Sequence, residues 1–168
     1  GDVLDTREFV VTEDIFNKYK KDYYEGGEVL DIVEMLSEED LSGNNIINLN
    51  RYNSYIDNWQ LTDAHYIFKN GSLIFDNPIE GGCGRAISIN DGSLEIDNCD
   101  INAPQCGANT DGIIELNNDS NLKIVDCSIE ARISENNKPF IKTNNSFIYI
   151  SNSWLNLGCM DNLQDPNI

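Results

Sequence analysis

The side chains best suited to chemistry in this sequence are one histidine and five cysteines. His65 is the only histidine, so sites built from paired histidines are excluded, whether for metals or for proton transfer. The cysteines fall between Cys83 and Cys159 without a Cys-x-x-Cys pair, which excludes zinc-ribbon and thioredoxin-like chemistry. The segment Gly-Gly-Cys-Gly-Arg at 81–85 lacks the Gly-Lys-Ser/Thr ending of a phosphate-binding loop, so we interpret it as a tight turn.

The charge balance excludes several classes of partner. The chain of 168 residues has 11 Lys plus Arg and 29 Asp plus Glu, a formal net charge of −18. Nucleic-acid binding through phosphate contacts needs a basic surface, and an anionic membrane repels an acidic one. No apolar run approaches the ~18 residues of a membrane span. We therefore expect neither nucleic-acid binding nor direct membrane insertion, while 40% hydrophobic residues suffice for a folded core.

Internal repetition is the strongest signal in the sequence. Four segments align, each with two short alternating stretches around a turn rich in Asn, Asp, Gly and Ser: 65–80, 86–101, 113–129 and 140–155. A fainter copy spans residues 46–61. The spacings are 21, 28 and 26 residues when Leu73, Leu94, Leu122 and Ile148 are taken as equivalent. Regular strands separated by loops of variable length predict a coiled solenoid of parallel strands.

Equivalent positions on successive coils predict which side chains stack. Leu94, Leu122 and Ile148 are predicted to point inward, whereas Glu95 and Lys123 point outward as an exposed pair. A polar column is predicted as a structural asparagine ladder, since stacked amides can hydrogen-bond at the ~4.8 Å spacing of neighbouring strands. Its predicted members are Asn58, Asn77, Asn98, Asp126 and Asn152.

The repeated unit, apolar-x-apolar-x-Asn-x-Ser/Asn-Leu-x-Ile-x-Asn-Cys-x-Ile, resembles the coils of right-handed parallel β-helices over about residues 46–157. In particular, it resembles adhesin-like, pectin-lyase-like surface proteins of archaea and bacteria. The resemblance implies a mainly β fold, a right-handed parallel β-helix solenoid of about five short rungs. It is a poor guide to function, because this solenoid carries lyases, tailspikes and adhesins alike.

Polysaccharide lyases with this fold hold Ca²⁺ on acidic clusters and use a lysine or arginine as base. The residues that the resemblance nominates for these roles are Asp76, Asp97 and Asp100, beside Arg85, Lys123 or Lys142. Asp76 and Asp97 are expected to stack, but Val125 and Ser151 follow on the next coils, and Ca²⁺ takes about six to eight oxygen ligands. We therefore interpret these carboxylates as solvated turn residues and expect no catalytic residue, no metal and no cofactor.

Residues 1–45 do not show the repeated pattern and are predicted to form an N-terminal helical cap segment. The parallel β-helix is predicted to follow over residues 46–168. Thr12 is predicted to cap a first helix that runs from Glu13 to about Lys21. A second helix is predicted from one apolar face formed by Val29, Ile32, Val33 and Leu36. This helix is expected to stop at Gly43. A separate pair of partner-binding helices is the alternative interpretation.

Two cysteine pairs are suggested by position. Cys99 and Cys127 are equivalent on successive coils and are predicted as an inward-facing stack of reduced thiols, since parallel side chains leave their Cβ atoms too far apart for a disulfide. Cys83 and Cys106 fall in variable loops of adjacent coils, where a disulfide could form. Cys159 has no obvious partner, and five reduced thiols are the alternative.

Three functions follow as hypotheses. The first is a non-catalytic extracellular or cell-surface module for adhesion or surface structure, whose partner is a glycan or a protein of a host or neighbouring cell. The second is a filament or fibre subunit that assembles end to end. No comparable cap follows Leu157, which is expected either if the chain is cut from a longer protein or if the C-terminal rung associates with itself. The third is a pectate-lyase-like carbohydrate-active enzyme.

Overall fold

The computed structural model describes residues 8–39, 41, 45–79, 84–104, 111–133 and 139–159. Of the described residues, 55% lie in strands and 13% lie in helices. The strands form a parallel β-solenoid of about four turns, where the sequence suggested about five rungs. The predicted mainly β solenoid is thereby confirmed.

The described residues contain fifteen strands and two α-helices. In chain order, the strands are β1 Glu8–Val10, β2 Lys20–Asp22, β3 Glu28–Asp31, β4 Ile46–Asn48, β5 Asn53–Tyr55, β6 Trp59–Thr62, β7 His65–Ile74, β8 Ile87–Asn90, β9 Ser93–Ala103, β10 Ile114–Asn117, β11 Asn121–Val125, β12 Ser128–Ile133, β13 Ile141–Asn144, β14 Phe147–Ser151 and β15 Trp154–Cys159. The helices are α1 Glu13–Tyr19 and α2 Ile32–Glu38, with a 3₁₀ turn at Tyr24–Gly26.

Successive turns of the chain stack their strands in three walls. Wall 1 contains β1, β4, the first half of β7, the first half of β9, β11 and β14. Wall 2 contains β2, β3, β5, the second halves of β7 and β9, β12 and β15. Wall 3 contains β6, β8, β10 and β13. Every pairing is parallel except that of β2 with β3, so side chains one turn apart lie side by side.

The core is made by alternate residues of all three walls. In wall 1, Phe68, Ile96 and Ile124 lie in register on neighbouring strands, and all three are fully buried. Wall 3 contributes Ile89 and Leu116 in the same way. Burying an aliphatic or aromatic side chain of this size contributes about 1.5–3 kcal/mol. These columns therefore supply the main favourable term for folding.

The register corrects one sequence-based alignment. Leu94, Leu122 and Ile148 follow one another in wall 1 as predicted. Leu73, however, lies opposite Ile101, and the residue opposite Leu94 is Tyr66, 28 positions earlier. The predicted equivalence of Leu73 with Leu94 is wrong because Asn70-Gly71 resembles a turn between strands, whereas β7 continues through it and only bends.

The N-terminal segment combines helices with strands. Thr12 begins α1 as predicted, since its Oγ1 accepts a hydrogen bond of 3.2 Å from the Ile15 N–H. The helix stops at Tyr19 because Lys20–Asp22 pairs with β3, and Val29 belongs to β3 rather than to the second helix. That helix, α2, begins at Ile32 and ends at Glu38, so the stop predicted at Gly43 is wrong: Glu39 already has an extended backbone.

The N-terminal segment shares the core of the solenoid. Tyr19, Leu30, Ile32 and Met35 are fully buried in the same hydrophobic cluster as the walls. β3 also pairs in parallel with β5, which extends wall 2 by one strand. This segment therefore packs as part of the solenoid core, while its predicted capping role and the domain boundary predicted at residue 45 stay predictions.

Candidate functional site

A column of asparagine-type residues marks the corner between walls 1 and 2. Its members, called here the corner column, are Asn70, Asn98, Asp126 and Asn152, all with positive φ between 48° and 62°. Asparagine and aspartate enter this left-handed region more readily than other side chains except glycine. The Asn98 amide donates to Asn70 Oδ1 at 3.0 Å, and the Asn152 amide donates to Asp126 Oδ1 at 2.6 Å.

Three of the five predicted ladder members, Asn98, Asp126 and Asn152, lie in the corner column, whereas the other two do not. Asn77 donates to Asp57 at 2.8 Å, and Asn58 precedes β6 with its N–H bonded to the Arg85 carbonyl, so neither lies in the column. Asn70 takes the place predicted for Asn77 because the true spacing to Asn98 is 28 residues. The Asn-Gly pair at 70–71 is typical of a loop between strands, so the sequence alignment did not assign Asn70 to the column.

A second asparagine column, missed in the sequence, lies at the end of wall 3. Asn90, Asn117 and Asn144 are in register on β8, β10 and β13. The Asn144 amide donates to Asn117 Oδ1 at 2.8 Å. The sequence pattern that could have revealed this column is an asparagine at the last position of each of these three strands. The pattern was missed because the alignment of residues 65–80 was shifted.

Two members of the corner column, Asn70 and Asn98, line a polar groove of about 470 Å³. The residues that line this polar groove are Asn48, Asn50, Arg51, Asn70, Gly71, Ser72, Asn98 and Asp100. Arg51 lies in the connection between β4 and β5, and the amides of Asn70 and Asn98 lie at the bends of β7 and β9. Arg51 is exposed, and no ion pair joins its guanidinium to another described residue.

The groove is fixed by its own hydrogen bonds. The Asn50 amide donates to the Val11 carbonyl at 2.9 Å, and the Asn50 N–H donates to Asn48 Oδ1 at 2.9 Å. Asp100 accepts from Ser128 Oγ at 2.7 Å. Amides supply donors and acceptors together, a carboxylate supplies acceptors, and a guanidinium supplies donors. Hydroxyl groups both donate and accept hydrogen bonds, so these groove side chains suit a ligand that is rich in hydroxyl groups.

The acids nominated for lyase chemistry lie apart. Asp76 is fully buried and accepts from the Tyr23 hydroxyl at 3.0 Å and from the Asn77 N–H at 2.8 Å. Asp97 lies opposite Lys69 and Val125, so the predicted stacking of Asp76 on Asp97 is wrong. The sequence alignment had shifted the first repeat by one wall. This error assigned Asp76 to the wrong column, as it did Asn77.

The nominated bases are engaged elsewhere. Arg85 donates to the carbonyls of Asp111 at 2.6 Å and Gly112 at 3.0 Å, and it pairs with Glu115 at 3.2 Å. The two lysines form ion pairs: Lys123 with Glu95 at 3.7 Å, as predicted, and Lys142 with Asp111 at 2.9 Å. These contacts tie neighbouring coils together.

The predicted thiol stack is present. Cys99 and Cys127 are buried and unbridged, on strand segments whose flanking residues are in register. Cys127 Sγ lies 3.4 Å from the Ile96 carbonyl oxygen. Burial raises the pKa of both thiols, that of Cys99 to about 12. The predicted Cys83–Cys106 disulfide lies outside the described residues.

β13, β14 and β15 form the last rung of the described solenoid, and its side chains are unlike those of earlier coils. Exposed apolar residues are concentrated there: Phe147, Ile148, Tyr149, Ile150, Trp154, Leu155 and Leu157. Each strand of this rung has a described partner on one side only, β10, β11 or β12. Within the described residues, the last rung therefore has a sheet edge without a partner strand and an apolar surface.

Comparison with known proteins gives no further guide, because no protein-family model, curated protein or solved structure matches this chain. Among the described residues, no helix is long and apolar enough to cross a membrane. The same residues bring together no group of three His, Cys, Asp or Glu side chains that could hold a metal ion. Function therefore has to be inferred from the polar groove and the last rung.

Proposed function

We propose that this chain is a non-catalytic β-helix module of an extracellular or cell-surface protein, used for adhesion or surface structure. The polar groove is the observation that carries the proposal. Its amides, carboxylate and unpaired Arg51 guanidinium match the hydroxyl groups of a glycan or the polar surface of a host or neighbour cell-surface protein. Because paired strands hold the groove, little ordering is needed when a ligand binds.

We also propose that the coil is right-handed and akin to the adhesin-like, pectin-lyase-like solenoids. The physical support is that connections between parallel strands of one sheet are almost always right-handed. The Asn/Asp-Cys-x-Ile unit, found at 98–101 and again at 126–129, supports the kinship, and the kinship in turn supports an extracellular or surface location. A crystal structure with a left-handed coil would remove this part of the proposal.

Glycan binding can be tested with the full chain on a glycan and cell-surface protein array, followed by calorimetry on any ligand found. Arg51→Asn removes the guanidinium and suits the positive φ of 69° at this position. We expect this variant to bind about tenfold more weakly, equivalent to about 1.4 kcal/mol. Arg132→Gln removes an exposed guanidinium on β12, outside the groove, and should bind like the original chain.

Three outcomes would contradict the proposal. The first is an array without a ligand, and the second is an equal loss of binding for Arg51→Asn and Arg132→Gln. The third is cleavage of polygalacturonate or alginate by the original chain that Asp97→Ala abolishes, which would favour the carbohydrate-active enzyme instead.

A further inference from the structure

We propose that the last rung is a contact between two copies of this chain, which meet last rung to last rung and close as a symmetric dimer. This inference goes beyond adhesion and does not depend on glycan binding. Its starting point is the contrast between the last rung and the coil before it, position by position.

The inward positions of the last rung are uncovered. Leu122 and Ile124 are buried to within 1% exposure, whereas their partners Ile148 and Ile150 on β14 are 40% and 38% exposed. Ile129 is fully buried, whereas its partner Leu155 is 41% exposed. The columns that form the core thus reach the end of the described solenoid without a covering layer.

The outward positions change from polar to aromatic in the same rung. Phe147 lies opposite Asn121 and Tyr149 lies opposite Lys123. Trp154 lies opposite Ser128. All three aromatic side chains are more than half exposed. Both faces of the rung therefore offer apolar area, and aromatic residues are enriched at protein contacts.

The charge distribution favours a second copy as the occupant. Residues 139–159 contain no Asp or Glu and a single basic residue, Lys142, in a chain with 29 acids and a net charge of −18. The preceding coil, residues 111–133, carries five acids. Two copies of so acidic a chain repel each other over most of their surface. The last rung is a region where they can meet without bringing carboxylates together.

The first end of the solenoid does not match the last rung. In wall 2 its outermost strand is β2, Lys-Lys-Asp, which runs antiparallel to β3. In wall 3, β6 is the first described strand, so the described first end lacks a three-strand rung. Residues 8–39 also carry ten acids and three lysines. A head-to-tail fibre would have to join these unlike ends.

Symmetry then selects a dimer. A two-fold axis perpendicular to the coil axis places identical rungs face to face and reverses strand direction across the contact. The free N–H and C=O groups of β14 and β15 would pair with those of the partner in antiparallel fashion. Such a contact uses the same surface on both copies and closes, whereas a head-to-tail contact continues into a filament.

Sedimentation equilibrium of the full chain over a range of concentrations tests the proposal. We expect a monomer–dimer equilibrium without larger species. Ile150→Lys and Trp154→Glu should each raise the dimer dissociation constant at least tenfold, while circular dichroism checks that the fold is kept. Val10→Lys places a charge on a similarly exposed apolar residue of β1, at the opposite end, and should leave the dimer unchanged.

Amide hydrogen exchange gives a readout that needs no variant. Exchange in β14 and β15 should slow as concentration rises, while exchange in β1 stays the same. A monomer at every concentration would overturn the proposal, as would larger assemblies that Val10→Lys prevents. Arg51→Asn should dimerise normally, so failure of the dimer and failure of glycan binding are distinguishable.

Discussion

Gly71 lies so close to Leu49 that a Cβ atom on Gly71 would be 2.5 Å from the Leu49 Cβ. The same added atom would be 3.0 Å from the carbonyl oxygen of Tyr52. Leu49 is fully buried, so it cannot move aside without disturbing the packing around it. Gly71→Ala is expected to lower the free energy of unfolding by about 1–3 kcal/mol, the usual cost of overpacking, as measured by urea denaturation.

The matched control for this substitution is Gly27→Ala. A Cβ atom on Gly27 would have the Tyr24 carbonyl oxygen as its nearest neighbour at 3.6 Å, an ordinary contact distance. The expected change in stability is within about 0.5 kcal/mol. Equal losses for the two variants would show that the close approach of Gly71 to Leu49 is not what limits this position.

Ser120 makes a buried polar link between neighbouring coils. Its fully buried hydroxyl donates to the Asn117 carbonyl at 2.6 Å and accepts from the Gly92 N–H at 3.3 Å. Ser120→Ala would leave the Gly92 N–H without this acceptor, and we expect a loss of about 1–3 kcal/mol in the free energy of unfolding.

Ser88→Ala is the control for Ser120→Ala, because the Ser88 hydroxyl makes no hydrogen bond to another described residue and its loss should be nearly neutral. The two free energies of unfolding can be compared by urea denaturation. A neutral Ser120→Ala would mean that water replaces the hydroxyl as partner of Gly92.

Arg85 is expected to matter for stability rather than for proton transfer. Its guanidinium holds the carbonyls of Asp111 and Gly112 together with the Glu115 carboxylate. Arg85→Lys cannot keep this planar fork of donors, so we expect a loss of about 1–3 kcal/mol. Lys123→Ala breaks an exposed pair with Glu95 and an exposed cation–π contact with Tyr149, and it should cost about 0–1 kcal/mol. Thermal and urea denaturation of both variants would reveal the opposite order if this assignment is mistaken.

The solenoid itself was predictable because alternation and repetition are properties of the sequence. Leu94, Leu122 and Ile148 share a wall as expected, and Glu95 pairs with Lys123. These assignments depend only on the two-residue period of a strand and on similar sequence spacings between coils, 28 residues and then 26. Both can be read without knowing where the chain turns.

The corners were not predictable in the same way. An Asn-Gly pair marks a tight turn in many proteins, but at Asn70 the left-handed residue only bends a continuous strand. This error moved the first repeat by one wall and placed Asn77 and Asp76 in columns to which they do not belong. The polar groove was missed for the same reason, since it depends on Asn48, Asn70 and Asn98 lying side by side.

The buried thiols make stability sensitive to alkaline pH. Burial raises the pKa of Cys99 from 9.0 to about 12, so the fold favours its neutral form. The unfolded chain ionises this thiol near pH 9, so the thiol's contribution to stability is constant below pH 9 and is lost between pH 9 and 12. The slope from this group is about 1.4 kcal/mol per pH unit. Burial also raises the pKa values of Tyr23 and Tyr55, which add to the fall above pH 10.

Cys99→Ala isolates the part of this pH dependence that belongs to the thiol. Alanine does not ionise, so the variant should lose stability less steeply between pH 9 and 11 than the original chain, even if its stability at pH 7 is lower. Ser153→Ala is the control, because Ser153 precedes β15 as Cys127 precedes β12, and its hydroxyl does not titrate in this range. The measurement is the free energy of unfolding in urea at several pH values. Parallel pH profiles for the original chain and Cys99→Ala would place the alkaline transition in other groups, Tyr23 and Tyr55 first among them.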